Sequence, residues 1–431
     1  MTMRIRTSVT RVLVTGALLG AGLTMTAAAA GADPGGTWGQ GGQGQHGTAL
    51  YVSNVTPAPH SSHSSDDAGA GGQPGCGTAA YSTIQSAVSA APAGGTVVVC
   101  PGTYTEDVTI TTPVNLVGIQ ATINATGLDN GVHVLASNSR VSGFTVTDAI
   151  GEGILVQGVP GAGGAPGTPI TGVTISGNDV VANDQGGSPA VPDYGGYAEC
   201  APAGGIPGDC GEGIHLMVAA DVTVSHNEVH GNSGGILLTD EFGPTHGNLI
   251  VGNDVHDNAY DCGITVASHN PGGFDGAVVL PTVGGVFDNT IEGNQSVGNG
   301  ILGQGGGVLL ATPLPGGAVY DNTVVGNYLA GNGLAGVTVH SHAPKQDLNG
   351  NVISWNLIGT NNLDGDPDFF PSVDPSTTGV IVAAVTPLAI TVSHNLIAHD
   401  IYGIWTMPAV SLTGGTSNLF IGVTTPLYVA P

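Results

Sequence analysis

The chain has 431 residues, with five Lys and Arg against 31 Asp and Glu and a net charge of −26 when His is neutral. So few cations leave nothing to neutralise phosphates, which excludes a nucleic-acid binder and a protein held on an anionic membrane surface. Gly supplies 74 residues and charged side chains only 8 %, a balance that excludes a helical bundle and predicts many short strands punctuated by turns.

In chain order, residues 1–32 read as a signal peptide: Arg4, Arg6 and Arg11 precede an apolar run that ends in the small-residue site Ala30-Gly31-Ala32. Cleavage would leave Arg140 and Lys345 as the only cations, in a protein expected to be secreted. Residues 33–75, rich in Gly, Ser, Pro and His, are expected to be a flexible linker, with Thr48–Val52 a candidate first strand. Residues 76–431 are expected to form one folded domain. Five Cys in an exported chain suggest disulfides. Four cysteines allow three connectivities; the expected one joins Cys76 to Cys100 and Cys200 to Cys210 and leaves Cys262 free.

Within 81–91, Ile84, Ala87, Val88 and Ala91 share one helical face, which predicts a short capping helix. Beyond it the chain repeats. Gly131, Gly153, Gly213, Gly235, Gly263, Gly307, Gly336, Gly379 and Gly403 each precede a short aliphatic strand, at intervals of 22, 60, 22, 28, 44, 29, 43 and 24 residues. The short intervals are one turn of a solenoid, and the long ones a turn plus an insertion. Two columns of Asn keep the same register: Asn178, Asn227, Asn253, Asn294, Asn327, Asn356 and Asn395, then, five residues later, Asn183, Asn232, Asn258, Asn299, Asn332, Asn361 and finally Asp400. Asn tolerates the backbone of a tight bend and its amide can bond to the Asn stacked on it, so both columns are expected to be structural. Counted from each Gly, positions +1 (Val132 to Ile404) and +3 (Val134 to Thr406) are aliphatic almost throughout. A period of two sends them inward, and the even positions outward. The expected fold is all-β, a right-handed parallel β-helix with a short N-terminal capping helix.

The segment YSTIQSAVSAAPAGGTVVVCPGTYTEDVTITTPVNLVG resembles the N-terminal cap and first coils of pectin-lyase-like proteins. Later coils resemble the parallel β-helix repeats of secreted actinobacterial proteins and of the copper-associated accessory proteins of nitrous oxide reductase. Over roughly residues 80–425 the resemblance implies the β-helix fold. It does not choose an activity, because this fold hosts lyases, hydrolases, esterases, epimerases and non-enzymes. PGTYTE is similar to an early segment of pectin methylesterases, but their later catalytic motifs are missing, as are those of polygalacturonases and mannuronan epimerases. Two cations several coils apart also do not suit a pectate-lyase base.

Chemistry is therefore sought on outward positions and insertions. Position +6 places Glu241 one coil from His269, where a carboxylate would orient the imidazole and raise its pKa for general acid–base work. Asp240 and Asp261 are near enough to add a second carboxylate; otherwise these are solvated loop-edge residues. Glu152 and Glu212 lead two matching GEGI segments, and on adjacent coils could stand at the separation of a retaining glycosidase pair, unless they only cap backbone amides. Tyr194 and Tyr197 could stack on a sugar, with Lys345 and His342 beside the substrate. His340 and His342 share a strand face and could hold a transition metal, although His269, two coils away, is too far to complete the shell. Asp364, Asp366 and Asp368 could bind Ca²⁺ or form a plain turn. The expected function is action on, or binding of, extracellular polysaccharide, as a lyase or glycoside hydrolase of unfamiliar type. The alternatives are a non-catalytic surface protein and a metal-handling accessory protein.

Overall fold

A computed structural model describes residues 49–54, 75–161, 165–183, 211–269, 274–275, 278–279, 283–303, 305–341, 343–365 and 376–431. The signal peptide, most of the expected linker, Tyr194, Tyr197, Cys200, Cys210, His342, Asp366 and Asp368 lie outside them.

Short parallel strands stack coil on coil into a right-handed β-helix. Among the described residues they form sheets of 21, 11 and five strands, besides one antiparallel pair, Phe274–Asp275 with Val278–Val279. In the eleven-stranded sheet each strand lies between its predecessor and its successor, from Val108–Ile110 to Thr425–Val429. Matching positions of the anchored strands are paired: Ile154 with Ile214, Ile214 with Ile236, Ile236 with Ile264 and Ile264 with Val308. Positions +1 and +3 fill the bore, every one of them buried. Each such aliphatic side chain contributes about 1.5–3 kcal/mol on burial.

The bends carry the Asn columns, and these are hydrogen-bonded ladders. Asn227 Nδ2 donates to Asn253 Oδ1 at 3.0 Å, Asn253 to Asn294 at 2.9 Å and Asn294 to Asn327 at 3.0 Å. The same amides also bond to backbone, which satisfies polar groups that the bend would otherwise bury unpaired. The second column does likewise, with Asn258 donating to Asn299 at 2.9 Å. A third ladder, not expected from the sequence, joins Asn248, Asn289, Asn322 and Asn351.

At the N-terminal end, Ile84–Ala90 forms a helix, α1, with Ile84, Ala87 and Val88 buried. The Glu106 carboxylate accepts from the backbone N–H of Ile84 and Gln85 at 2.8 and 2.9 Å. The Gln85 side chain pairs with both backbone groups of Thr109, at 2.8 and 3.1 Å. The helix is thus bonded to the first coils and closes the bore. Cys76 and Cys100 form a disulfide with Cα atoms 5.6 Å apart, and Cys262 is buried and free.

Leu50–Val52, within the expected candidate strand Thr48–Val52, pairs in register with Val97–Val99 as the first strand of the β-helix. One expectation needs correction. The even positions of the eleven-stranded sheet face away from the bore, yet His215, Leu237, Thr265, Thr338, Ile381 and Trp405 are all buried. Outward is therefore not solvent on this face: its C-terminal end is an apolar cluster around Ile381, Ala383 and Trp405, and its middle is polar.

Candidate functional site

The polar stretch of that outer face is built coil by coil. Glu152 precedes the strand Ile154–Gln157, His215 lies in Glu212–Met217, Thr239 ends Gly234–Thr239, and His269 follows Ile264–Ala267. Glu152 Oε1 lies 3.1 Å from His215 Nδ1, and His215 Nε2 lies 2.7 Å from Thr239 Oγ1. Thr239 Oγ1 donates to Glu241 Oε2, and Glu241 Oε1 lies 2.9 Å from His269 Nδ1. One continuous chain of hydrogen bonds therefore crosses four coils and reaches His269.

Its direction follows from proton bookkeeping. The Thr239 hydroxyl has one proton and gives it to Glu241, so His215 Nε2 must carry the proton that reaches Thr239. On the other side a proton is shared between Glu152 and His215 Nδ1. A carboxylate at Glu241 accepts from Thr239 and, through Nδ1–H, from His269. Burial would raise the Glu241 pKa, but the hydrogen bond and charge of His269, the charge of His215 and the Thr239 hydroxyl outweigh it and hold the group at about 2. Glu241 thus remains an anion, which suits orienting an imidazole and not giving up a proton.

The other carboxylates do different things. Asp240 Oδ2 accepts from Ser268 Oγ at 2.9 Å and from the Gly285 N–H, which fastens the base of the next coil's loop. Asp261 is pushed above the usual carboxylate range by burial, against hydrogen bonds from Cys262 and the charge of His269. Glu212 does face the coil of Glu152, as the register of Ile214 with Ile154 requires. Glu152 is bonded to His215, and Glu212 lies over Gly234. A Cβ at Gly234 would meet Glu212 Oε1 at 3.1 Å and Asp261 Cβ at 3.2 Å, so the missing side chain makes room for both acids.

His340 is buried in the column Thr239, Ala267, Ala311, His340, three strands from Thr239 and apart from the hydrogen-bond chain. Lys345 is exposed on a turn with φ 57°. Asp364 packs near Gly333. Tyr194, Tyr197, His342, Asp366 and Asp368 are outside the described residues. His226, His394 and His399 occupy left-handed bends, whereas His256 lies in a strand and stacks on His230 at 4.9 Å. Sequence reasoning missed His215 and Thr239; their signal was a polar residue at even positions +2 and +4 of anchored strands.

A family described as periplasmic copper-binding protein (NosD) matches residues 136–365, more than half of the chain, and the chain belongs to that family. No curated protein sequence matches it. Among solved structures, it is similar to an alginate lyase from Paenibacillus sp. FPU-7 (13 % identity, 81 % of this chain and 96 % of that one, TM-score 0.41). It is also similar to the AlgE6 A-module, a mannuronan C-5 epimerase of Azotobacter vinelandii (15 %, 81 % and 94 %, TM-score 0.32). A third is a surface adhesin, PfbA, of Streptococcus pneumoniae (12 %, 80 % and 88 %, TM-score 0.30). Likenesses of this size say nothing of activity.

Among the described residues the donors do not assemble a copper site. Among the described residues no three His, Cys, Asp or Glu side chains converge to hold a metal. Both His215 nitrogens are engaged by protein, and burial raises the Cys262 thiol well above its ordinary pKa, away from the thiolate that a metal needs.

Proposed function

We propose that this chain is exported and acts on a neutral extracellular polysaccharide, with His269 as the acid–base group and Glu241 as the residue that positions it. The observation that carries this reading is the hydrogen-bond chain Glu152–His215–Thr239–Glu241–His269, in which an anionic carboxylate holds the His269 ring through Nδ1. The β-helix fold and the resemblance to pectin-lyase-like proteins support a polysaccharide as the substrate class. The two cations outside the expected signal peptide support a neutral one, because uronate carboxylates would have little to pair with. The Cys76–Cys100 disulfide supports export, and no helix among the described residues is long and apolar enough to cross a membrane.

Glu241→Gln tests the assignment. The amide keeps the size of the side chain but removes the charge that orients His269. Assayed on a panel of neutral polysaccharides for new reducing ends and for unsaturated products, it should lower kcat by about 100-fold with KM little changed. Equal turnover by variant and parent, or no turnover of any neutral glycan by the parent, would overturn the reading; the product type separates hydrolase from lyase.

A further inference from the structure

The residue before each Asn of the first ladder sits in a left-handed bend. Most coils place Gly there: Gly177, Gly252, Gly293 and Gly326 have φ between 62 and 67°. Three coils depart from this, one with His226 at φ 55° and two that are consecutive. Trp355 and His394 occupy the position with φ 59 and 58°, a conformation that a bulky side chain rarely adopts. Their rings stack, with centroids 4.6 Å apart and planes within 8°. The indole is nevertheless 66 % exposed.

The register explains that exposure. Val325 pairs with Ser354 and Ser354 with Ser393, so Trp355 stands between His394 on one side and Gly326 on the other. One face of the indole is covered by the imidazole. The other looks along a lane of Gly326 and Gly293, where added Cβ atoms would meet almost nothing: Gly293 has no neighbour within 4 Å and Gly326 only a backbone nitrogen at 3.9 Å. Further along, the His226 ring covers Gly252, with atoms 3.3 to 3.8 Å from its Cβ position, and closes the lane. Glu292, Gln295 and Tyr328, all exposed, flank the glycines.

We propose that this lane is a saccharide-binding site, in which a neutral sugar ring stacks its C–H face on the open face of Trp355 over Gly326 and its hydroxyls bond to Gln295, Tyr328 and Glu292. The electron-rich face of an indole attracts polarised C–H groups, and stacked coils about 4.8 Å apart leave a gap of the thickness of one flat ring. The flanking groups are acceptors and neutral donors, suited to hydroxyls and not to carboxylates or phosphates. In a bend where four of seven coils place Gly, Trp355 presents an open, exposed indole face of the kind such a ligand covers. The site takes its ligand class from the function proposed above but shares no residue with it.

The test is a calorimetric titration of cellohexaose, xylohexaose and maltohexaose into the full-length protein, its Trp355→Gly variant and its Gly326→His variant. Glycine restores the residue of the neighbouring coils, so Trp355→Gly should melt no lower than the parent; His at 326 follows His226 and His394 in the same bend and fills the lane. At least one oligosaccharide should bind the parent, and each variant should weaken it tenfold or more. Binding of none of the three, or equal affinity for Trp355→Gly, would overturn the proposal. So would a dimer of the parent that Trp355→Gly dissociates, which would assign the indole to a second copy of the chain. Titration reads this lane and turnover reads His269, so either proposal can fail alone.

Discussion

At position 400 the second ladder changes from amide to acid. Asn361 donates its backbone N–H to Asp400 Oδ1 at 3.1 Å, while Oδ2 is buried with no hydrogen-bond partner among the described residues. Burial raises this carboxyl to about 7, only partly opposed by the Asn361 bond. In the unfolded chain the same group titrates near 3.8, so the native state holds a proton that the unfolded state loses. The stability that this one group contributes is then greatest below pH 3.8, falls as pH rises to 7, and is level above. Asp400→Asn should stabilise the protein at pH 8 by a few kcal/mol, because a tenfold change in proton affinity is worth about 1.4 kcal/mol. At pH 4 the gain should be small; urea titrations at both values measure this. Glu241 has the opposite sign: held at about 2, it adds stability above pH 4.5 that is lost as pH falls toward 2. At this scale the sequence disclosed the ladder residues and the Glu241–His269 proximity. It hid His215 and Thr239, because an even position ordinarily faces water and nothing local says that the outer face is covered.

The elements most exposed to a single change are the ladders. Asn294 accepts from the backbone N–H and side-chain amide of Asn253 and donates to Ile250 O and Asn327 Oδ1, all at 2.9 to 3.0 Å. Asn294→Ala would strand several buried polar groups at about 1–3 kcal/mol each. A loss of at least roughly 3 kcal/mol in denaturant unfolding is expected, and a loss under about 1 kcal/mol would show that the bend relaxes. The strands themselves were readable from nine anchoring glycines and two aliphatic columns, since a solenoid repeats the same local problem at each coil. The third ladder was readable too, five residues before the first, at Asn248, Asn289, Asn322 and Asn351. It was obscured because earlier coils put Val173 and Val222 there.

For the whole molecule, a one-dimensional stack separates structural duties from chemistry. The bore and ladders account for most of the Val, Ile, Gly and Asn, and the N-terminal end is closed by α1 and a disulfide. Insertions were visible as long intervals between anchors, but the residues each covers depend on long-range packing that no periodicity encodes. What remains for function is the hydrogen-bond chain on one face and the indole lane on a bend. The most direct test of the central claim is turnover of neutral polysaccharides by the parent protein and by His269→Ala, with melting temperatures measured in parallel. The parent should cleave at least one of them, and the variant, melting within a few degrees of the parent, should lose at least about 100-fold in kcat; a folded His269→Ala variant that cleaves as fast as the parent would contradict the assignment of His269.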